Sequence, residues 1–289
     1  MTPAARSTRS GFTLLELLIT MAVMSIVGAG LVQMVVSQGK FMEQQEAWRS
    51  SRAVSRSSLN RLFAEVRNVE AVAGVEAAVA GGTDITLRVP YAYGIMCASD
   101  GTTTTLSLLP VDSLMYNAPG CSGFAWRDAN GVYQYVTAGV SVAAAAAGPC
   151  TGVNITTLPS INGSPAGQTV TVGGTVNPVP PVGTIFFLFR RIRYEFKAST
   201  LVPGRVGLWR TLVTPNTSEE LAAPLDNTAR VRFYVNNATT AQGAVPGSLA
   251  SIRGLEFQLD GQSTLAPRGS TAPKTTSLTT SIFFNNRPD

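Results

Sequence analysis

From Phe12 to about Val36 the chain reads FTLLELLITMAVMSIVGAGLVQMVV, apolar on every helical face, with Glu16 as its only charge. Roughly 20 apolar residues suffice to cross a bilayer as a helix, so this run is long enough to span one. No proline occurs between Pro3 and Pro90. One continuous helix from Phe12 to about Val69 is therefore expected, roughly 85–90 Å long at about 1.5 Å per residue. Gly28, Gly30 and Gly39 weaken it locally, and as small residues they let membrane helices approach closely. Beyond Lys40 the pattern changes. Leu59, Leu62, Phe63, Val66 and Val69 recur at helical spacing, with Arg56, Arg61, Glu65 and Arg67 on other faces. Such a stripe predicts that the second half of the helix lies against a globular domain.

After GGTD at residues 81–84 the period shifts to two. ITLRVPY, TTLSLLP and GVYQYV read as strands separated by Gly, Asp and Pro. Residues 138–183, with AAAAAG, GPCTG, SPAG and NPVPPVG, are poor in charge and rich in turn formers. They predict a loop insertion carrying at most short strands. The alternation is clearest after Thr184, where Ile192, Tyr194 and Phe196 interleave with Arg193, Glu195 and Lys197. RVGLWRTLV follows a Pro203-Gly204 turn, and ARVRFYVNN, GLEFQLDG and TTSLTTSIFFNNR complete the series. One face dry and one wet is the pattern of an antiparallel sheet. The expected class is α+β: a long N-terminal membrane-spanning helix packed on a C-terminal antiparallel β-sheet domain.

Composition removes several functions. The 289 residues carry a formal charge of +5, with 22 basic and 17 acidic side chains and no histidine. Loss of Arg6 and Arg9 with a leader would leave 20 basic residues, about +3. The basic residues do not cluster, so no nucleic-acid partner is expected. Without histidine the chain lacks the commonest general base and metal ligand. Cys97, Cys121 and Cys150 are widely spaced and form no CxxC pair, so neither a metal site nor a cofactor is expected. In an exported domain, one disulfide with one cysteine left over is the simplest arithmetic, and three pairings remain open.

Glu16 is the anomaly. An acidic side chain at the centre of a membrane helix costs about 2.5–3.5 kcal/mol on insertion scales, less near an end, so an intramembrane carboxylate is a functional candidate. The run is too long for an ordinary secretory signal, although the GAG at 28–30 imitates a cleavage site. A plain membrane anchor leaves the carboxylate unexplained. The preceding MTPAARSTRSG is basic and free of acid, which places it on the cytoplasmic side.

GFTLLELLITMAVMSIV, after a basic leader ending in Gly11, resembles the class III signal of type IV pilins and type II secretion pseudopilins. The resemblance implies a pilin fold and cleavage between Gly11 and Phe12 by a membrane prepilin peptidase, which also methylates the new amino group of Phe12. It further implies that Glu16 pairs with the terminal ammonium of a neighbouring subunit. In a low dielectric an unpaired carboxylate is expensive, so a neighbour offering a cation at matching depth is favoured and Glu16 acts as a register device. The domains then read as leader 1–11, transmembrane and filament-core helix 12–36, amphipathic half 37–75, and β-rich globular domain 76–289 with the insertion at about 138–183.

The succession of Y-x-F, L-W-R, V-R-F-Y, L-E-F and a terminal F-x-N-R over residues 192–287 resembles the C-terminal sheet of W-type minor pilins and the J-type minor pseudopilin. It implies a minor, tip-associated structural subunit. Its partners would be the prepilin peptidase/methyltransferase, the inner membrane and other minor and major pilins. The globular domain would be periplasmic, then surface-borne on the pilus. An anchored enzyme is the rival from another class, with Asp84, Asp100 and Asp112 among serines. No GxSxG elbow, HExxH or phosphate-cradling loop supports it, and scattered Asp and Ser among Gly and Thr are usually turn formers. A third class is a tip adhesin or binding module, with Tyr91, Tyr93, Trp126, Tyr133 and Tyr135 as its ligand surface; strand aromatics more often pack in cores.

Overall fold

The computed structural model describes residues 13–116, 120–137, 141–142, 146–147, 150 and 168–284. Helix α1 (Leu14–Val66) is unbroken over 53 residues, about 80 Å at 1.5 Å per residue. It stops three residues short of the expected Val69. A pair of backbone bonds, from Asn68 to Glu65 and from Val69 to Val66, turns the chain there, and Val72 adopts a φ of 76°. The α+β architecture is as the periodicity predicts: a long apolar helix packed on an antiparallel β domain.

The strands are β1 (Val75–Ala78), β2 (Asp84–Ser99), β3 (Thr103–Leu108), β4 (Gly123–Arg127), β5 (Tyr133–Val136), β6 (Ser141–Val142), β7 (Ala146–Ala147), β8 (Gln168–Gly173), β9 (Ile185–Ala198), β10 (Val206–Leu212), β11 (Thr217–Leu225), β12 (Arg230–Val235), β13 (Ile252–Gln262) and β14 (Thr275–Phe283). A short helix α2 (Pro110–Met115) starts with proline at its first position. The sheet order is β12-β13-β11-β10-β9-β2-β3-β8-β6, with β14 also on β13, β1 on β2, β4 on β9 and β5, and β7 on β8.

The long strands β2 and β9 run through two separate cores. In the first, Ile85, Leu87 and Val89 meet Ile192, Tyr194 and Phe196 beneath α1. In the second, Ala92 and Met96 pack with Phe186, Leu188, Phe124, Trp126, Val170 and Val172. On β2 the inward residues are odd-numbered up to Val89 and even-numbered from Ala92. A register shift between Pro90 and Ala92 causes the change, because an extra residue turns the following side chains to the opposite face. Proline, which donates no ladder bond, fits such a bulge. Gly94 is required by the same packing: a Cβ there would strike the Ser107 carbonyl and the Phe186 ring.

The described part of the expected insertion adds to the second core. β8 pairs with β3 over five residues, and Val170 and Val172 are fully buried. The rest of the predicted insertion, residues 138–140, 143–145, 148–149 and 151–167, lies outside the described residues.

Candidate functional site

Among the described residues, nothing packs on the first half of α1. From Thr13 to Met42 every residue is exposed except Gly28, which is half-buried. Leu14 keeps 80% of its surface open. A helix apolar on all faces demands lipid or other helices around it. This is one helix long and apolar enough to cross a membrane, and it lies near the N-terminus.

Glu16 sits in the first turn of α1. The Thr13 backbone N–H and Oγ1–H both donate to Glu16 Oε2 at 3.0 Å, and the Glu16 N–H donates back to Thr13 Oγ1 at 3.3 Å. The result is a reciprocal capping box, with the carboxylate at the positive end of the helix dipole. Sequence reasoning assigned Glu16 only a partner in a neighbouring subunit; the T-x-x-E spacing at Thr13 carried this second, local role. Gly11 and Phe12 lie outside the described residues.

The second half of α1 is anchored. Its buried positions are Ala47, Ser51, Ser55, Ser58, Leu62 and Val66. Leu62, Val66 and Val69 from the predicted stripe are fully buried, Leu59 is half-buried, and Phe63 remains 41% exposed. The three serines were not foreseen. Gly261 of β13 packs directly on the helix backbone, so that a Cβ at this position would collide with the Ser51 carbonyl and Ser55. The Gly261 N–H donates to Ser55 Oγ at 3.0 Å, and Ser51 Oγ lies 2.6 Å from Thr276 Oγ1. Small hydroxyls let helix and strand touch while pairing buried backbone groups.

Two polar clasps complete the anchor. Arg210 of β10 donates to Glu65 through Nη2 at 2.7 Å and Nε at 3.0 Å, and the Tyr194 hydroxyl donates to the same carboxylate. Burial first, then the Glu65 charge, hold the Tyr194 phenol far above its ordinary pKa. At the other end of the anchor, Arg268 in the β13–β14 loop meets Glu43 at 3.3 Å, and its backbone N–H donates to Glu43 at 3.1 Å.

Cys97, near the end of β2, is bonded to Cys150, with a Cα–Cα distance of 5.2 Å. Cys121 is free and buried, and burial pushes its thiol pKa up. The five aromatics considered as a ligand surface do not form one. Trp126 is buried in the second core with Tyr91 packed against it. Tyr133 and Tyr135 instead gather with Tyr93 around Phe187 in another cluster.

The three aspartates are also apart. Asp84 opens β2 and pairs with Arg193, whereas Asp100 lies just past the strand's far end. There the Thr103 and then the Thr102 amides hold the Asp100 carboxyl below its usual range. Asp112 accepts the Tyr93 N–H at 3.1 Å.

Residues 6–32 match the family model described as the prokaryotic N-terminal methylation motif. Together with the apolar helix beneath it, the motif supports a type IV pilin-like or pseudopilin subunit anchored to a membrane by a single pass. A subunit of this kind is processed by prepilin peptidase and assembles with other pilins. Neither the curated proteins nor the solved structures compared with the chain gave a match.

Proposed function

We propose that the chain is a minor type IV pilin of the W-type, a structural subunit that helps prime pilus assembly and performs no catalysis of its own. The observation that carries this reading is a methylation motif on a helix whose first half is bare and apolar and whose second half is locked to a β domain. Such a subunit has a membrane-compatible stalk to hand over to a helical filament core and a rigid body to carry outside it. Peptidase cleavage between Gly11 and Phe12, with the leader on the cytoplasmic side, frees the Phe12 ammonium, which the same enzyme then methylates with a methyl donor. Glu16 of a neighbouring subunit neutralises that ammonium as the helices leave the bilayer.

The capping box makes Glu16→Gln a clean test, because glutamine also serves at this capping position. The substitution removes the charge and keeps the helix end. The expected outcome is normal membrane insertion and cleavage, with incorporation into filaments reduced at least about tenfold, the equivalent of about 1.4 kcal/mol. Unchanged incorporation would overturn the pairing role. N-terminal mass analysis of the mature chain should show methylated Phe12; a start near Leu31 would mean an ordinary secreted domain. A minor pseudopilin of type II secretion shares the same motif. Co-purification from cells lacking one or the other machinery distinguishes the two.

A further inference from the structure

The nine residues of β14 pair with β13 in an unbroken register, and among the described residues no strand lies on the other side of β14. Bonds just beyond its two ends set the phase of the ladder. The Ser263 N–H donates to the Lys274 carbonyl at 2.9 Å, and the Phe284 N–H donates to the Arg253 carbonyl at 3.0 Å. Even-numbered residues of β14 therefore bond to β13, and the N–H and C=O groups of Thr275, Ser277, Thr279, Ser281 and Phe283 point away from it. Proteins blunt such an edge with charge, proline, a bulge or a covering segment. The strand TTSLTTSIF has neither charge nor proline, and no register shift interrupts it. β12, on the opposite side of β13, shows the contrast. There the Val231 N–H donates to the Gly82 carbonyl at 2.7 Å, and Phe233 exchanges two bonds with Gln242 at 2.8 and 2.9 Å.

The space between this edge and the helix is also unfinished. α1 runs alongside β14 in the same direction: Ser51 and Ser55 meet Thr276, and Phe63 meets Ile282 and Phe283 around a groove of about 450 Å³. Leu59 and Leu278 are only half-buried, and Phe63 and Phe283 are exposed. Arg52 and Arg56 share the helix flank of Leu59 and Phe63 at i, i+4, i+7 and i+11, and both are exposed. An extended segment laid on the edge would satisfy the outward backbone groups, and its alternate side chains would cover Leu59, Leu278 and Phe63.

We infer that the β14 edge accepts an extended segment of a neighbouring pilin-like subunit as an added strand. The segment that fits is uncharged or acidic, with apolar side chains alternating toward the helix flank and small polar ones beside the threonines and serines. Main-chain bonds supply the affinity, and the groove at Phe63 supplies the selection. A second copy of this chain does not fit. Symmetric pairing of β14 with its own copy is antiparallel and would reverse one α1 against the other, which chains inserted in the same sense through one membrane cannot satisfy. Resting on the pilin reading above, the added strand gives the subunit a contact with its neighbour outside the helical core.

Hydrogen exchange on the full chain in detergent micelles reads the edge first. The amides of Ser277, Thr279 and Ser281 should exchange at least about tenfold faster than those of Leu278 and Thr280. Equal protection would mean that the chain covers its own edge and would overturn the inference. Thr279→Pro deletes one outward N–H and keeps the inward ladder, a change edge strands tolerate. It should insert, be cleaved and melt like the parent, while incorporation into filaments falls at least about tenfold. If that variant does not fold, Thr279→Lys, which sets a charge on the edge, should lower incorporation in the same direction. Thr279→benzoylphenylalanine, irradiated in cells that assemble the filament, should be joined to an extended segment of another pilin-like subunit when the adduct is mapped by mass spectrometry. A joined peptide from a second copy or from a protein of another kind, no joined peptide, or undiminished incorporation of the proline and lysine variants would each overturn the strand pairing. Normal incorporation of those variants alongside failure of Glu16→Gln removes the pairing alone, whereas normal incorporation of all three removes the filament reading as well.

Discussion

Leu17 and Leu62 stand on the same unbroken helix, one with 51% of its surface open and the other with none. Neither intrinsic helix propensity nor backbone geometry distinguishes them. Before Ala47 the apolar residues surround the axis, so no single partner face could bury them. From Ala47 on, the buried positions narrow to a stripe that runs through alanine and serines first and then leucine and valine. The first pattern requires a solvent of lipid or sister helices; the second requires one sheet of this same chain. A filament subunit needs both, because the first half must be transferable and the second must not.

The sharpest way to break the contrast is to truncate a leucine on each side. Leu62→Ala should cost the globular domain about 2–5 kcal/mol, the range for a fully buried leucine. Leu17→Ala should leave the domain's melting unchanged within about 0.5 kcal/mol. Thermal unfolding followed by near-ultraviolet circular dichroism in the same detergent measures both. Equal losses would mean that the two halves are not energetically separate.

A second comparison sets the helix-bearing core against the end of the β domain beyond the Pro90 bulge, where β2 carries the disulfide. Cys97–Cys150 closes a segment with a sequence separation of 53 residues. Removing it with Cys97→Ser and Cys150→Ser together should cost about 2–4 kcal/mol. Hydrogen exchange should place that loss in β2 beyond the bulge, β3 and β8. The amides of Ser55 and Gly261, which belong to the first core, should keep more of their protection. Uniform loss throughout would show that the β2–β9 ribbon makes the two cores a single cooperative unit.

Gly261→Ala attacks the anchor from the strand side. The added methyl would meet the helix backbone at Ser51 as well as the Ser55 hydroxyl, and backbone cannot swing aside as a side chain can. A loss of about 2–3 kcal/mol is expected, the upper part of the range for overpacking. The measurement is the denaturant midpoint at constant slope. An alanine tolerated without loss would show that helix and strand separate easily.

Features carried by short-range order were readable in the chain: the basic leader, the carboxylate a few residues into an apolar run, the Leu62-Val66-Val69 stripe and the alternation of β9, β12 and β13. Features that depend on what lies across the contact were not. Ser51, Ser55 and Ser58 carry no apolar signal of their own, and only the bare Gly261 opposite makes theirs an inner face. The strand expected to end at Tyr91 runs on to Ser99, because the bulge at Pro90 reverses which residues face inward and so disguises the continuation. β1, β4 and β11 lack a clean alternation: β4 is buried at four consecutive positions and β11 carries Pro224. The cysteine pairing depends on where residue 150 returns to β2, which no spacing encodes.

The smallest expected effect is the most specific, because it compares one residue type doing the same thing in both halves of the helix. Ser25 Oγ donates to the Met21 carbonyl at 2.8 Å, and Ser55 Oγ donates to the Ser51 carbonyl at 3.3 Å. Both are the backward bonds common for serine in helices, and neither alone adds much stability. Only Ser55 also accepts a bond from another element, the Gly261 N–H, and it does so where water cannot replace it. Ser55→Ala should therefore cost about 1 kcal/mol and speed exchange of the Gly261 amide, because a buried donor is left unpaired. Ser25→Ala, with no such partner among the described residues, should change neither. Were the two substitutions to behave alike, the serine stripe would be mere space-filling and the anchor would rest on its leucine and valine contacts.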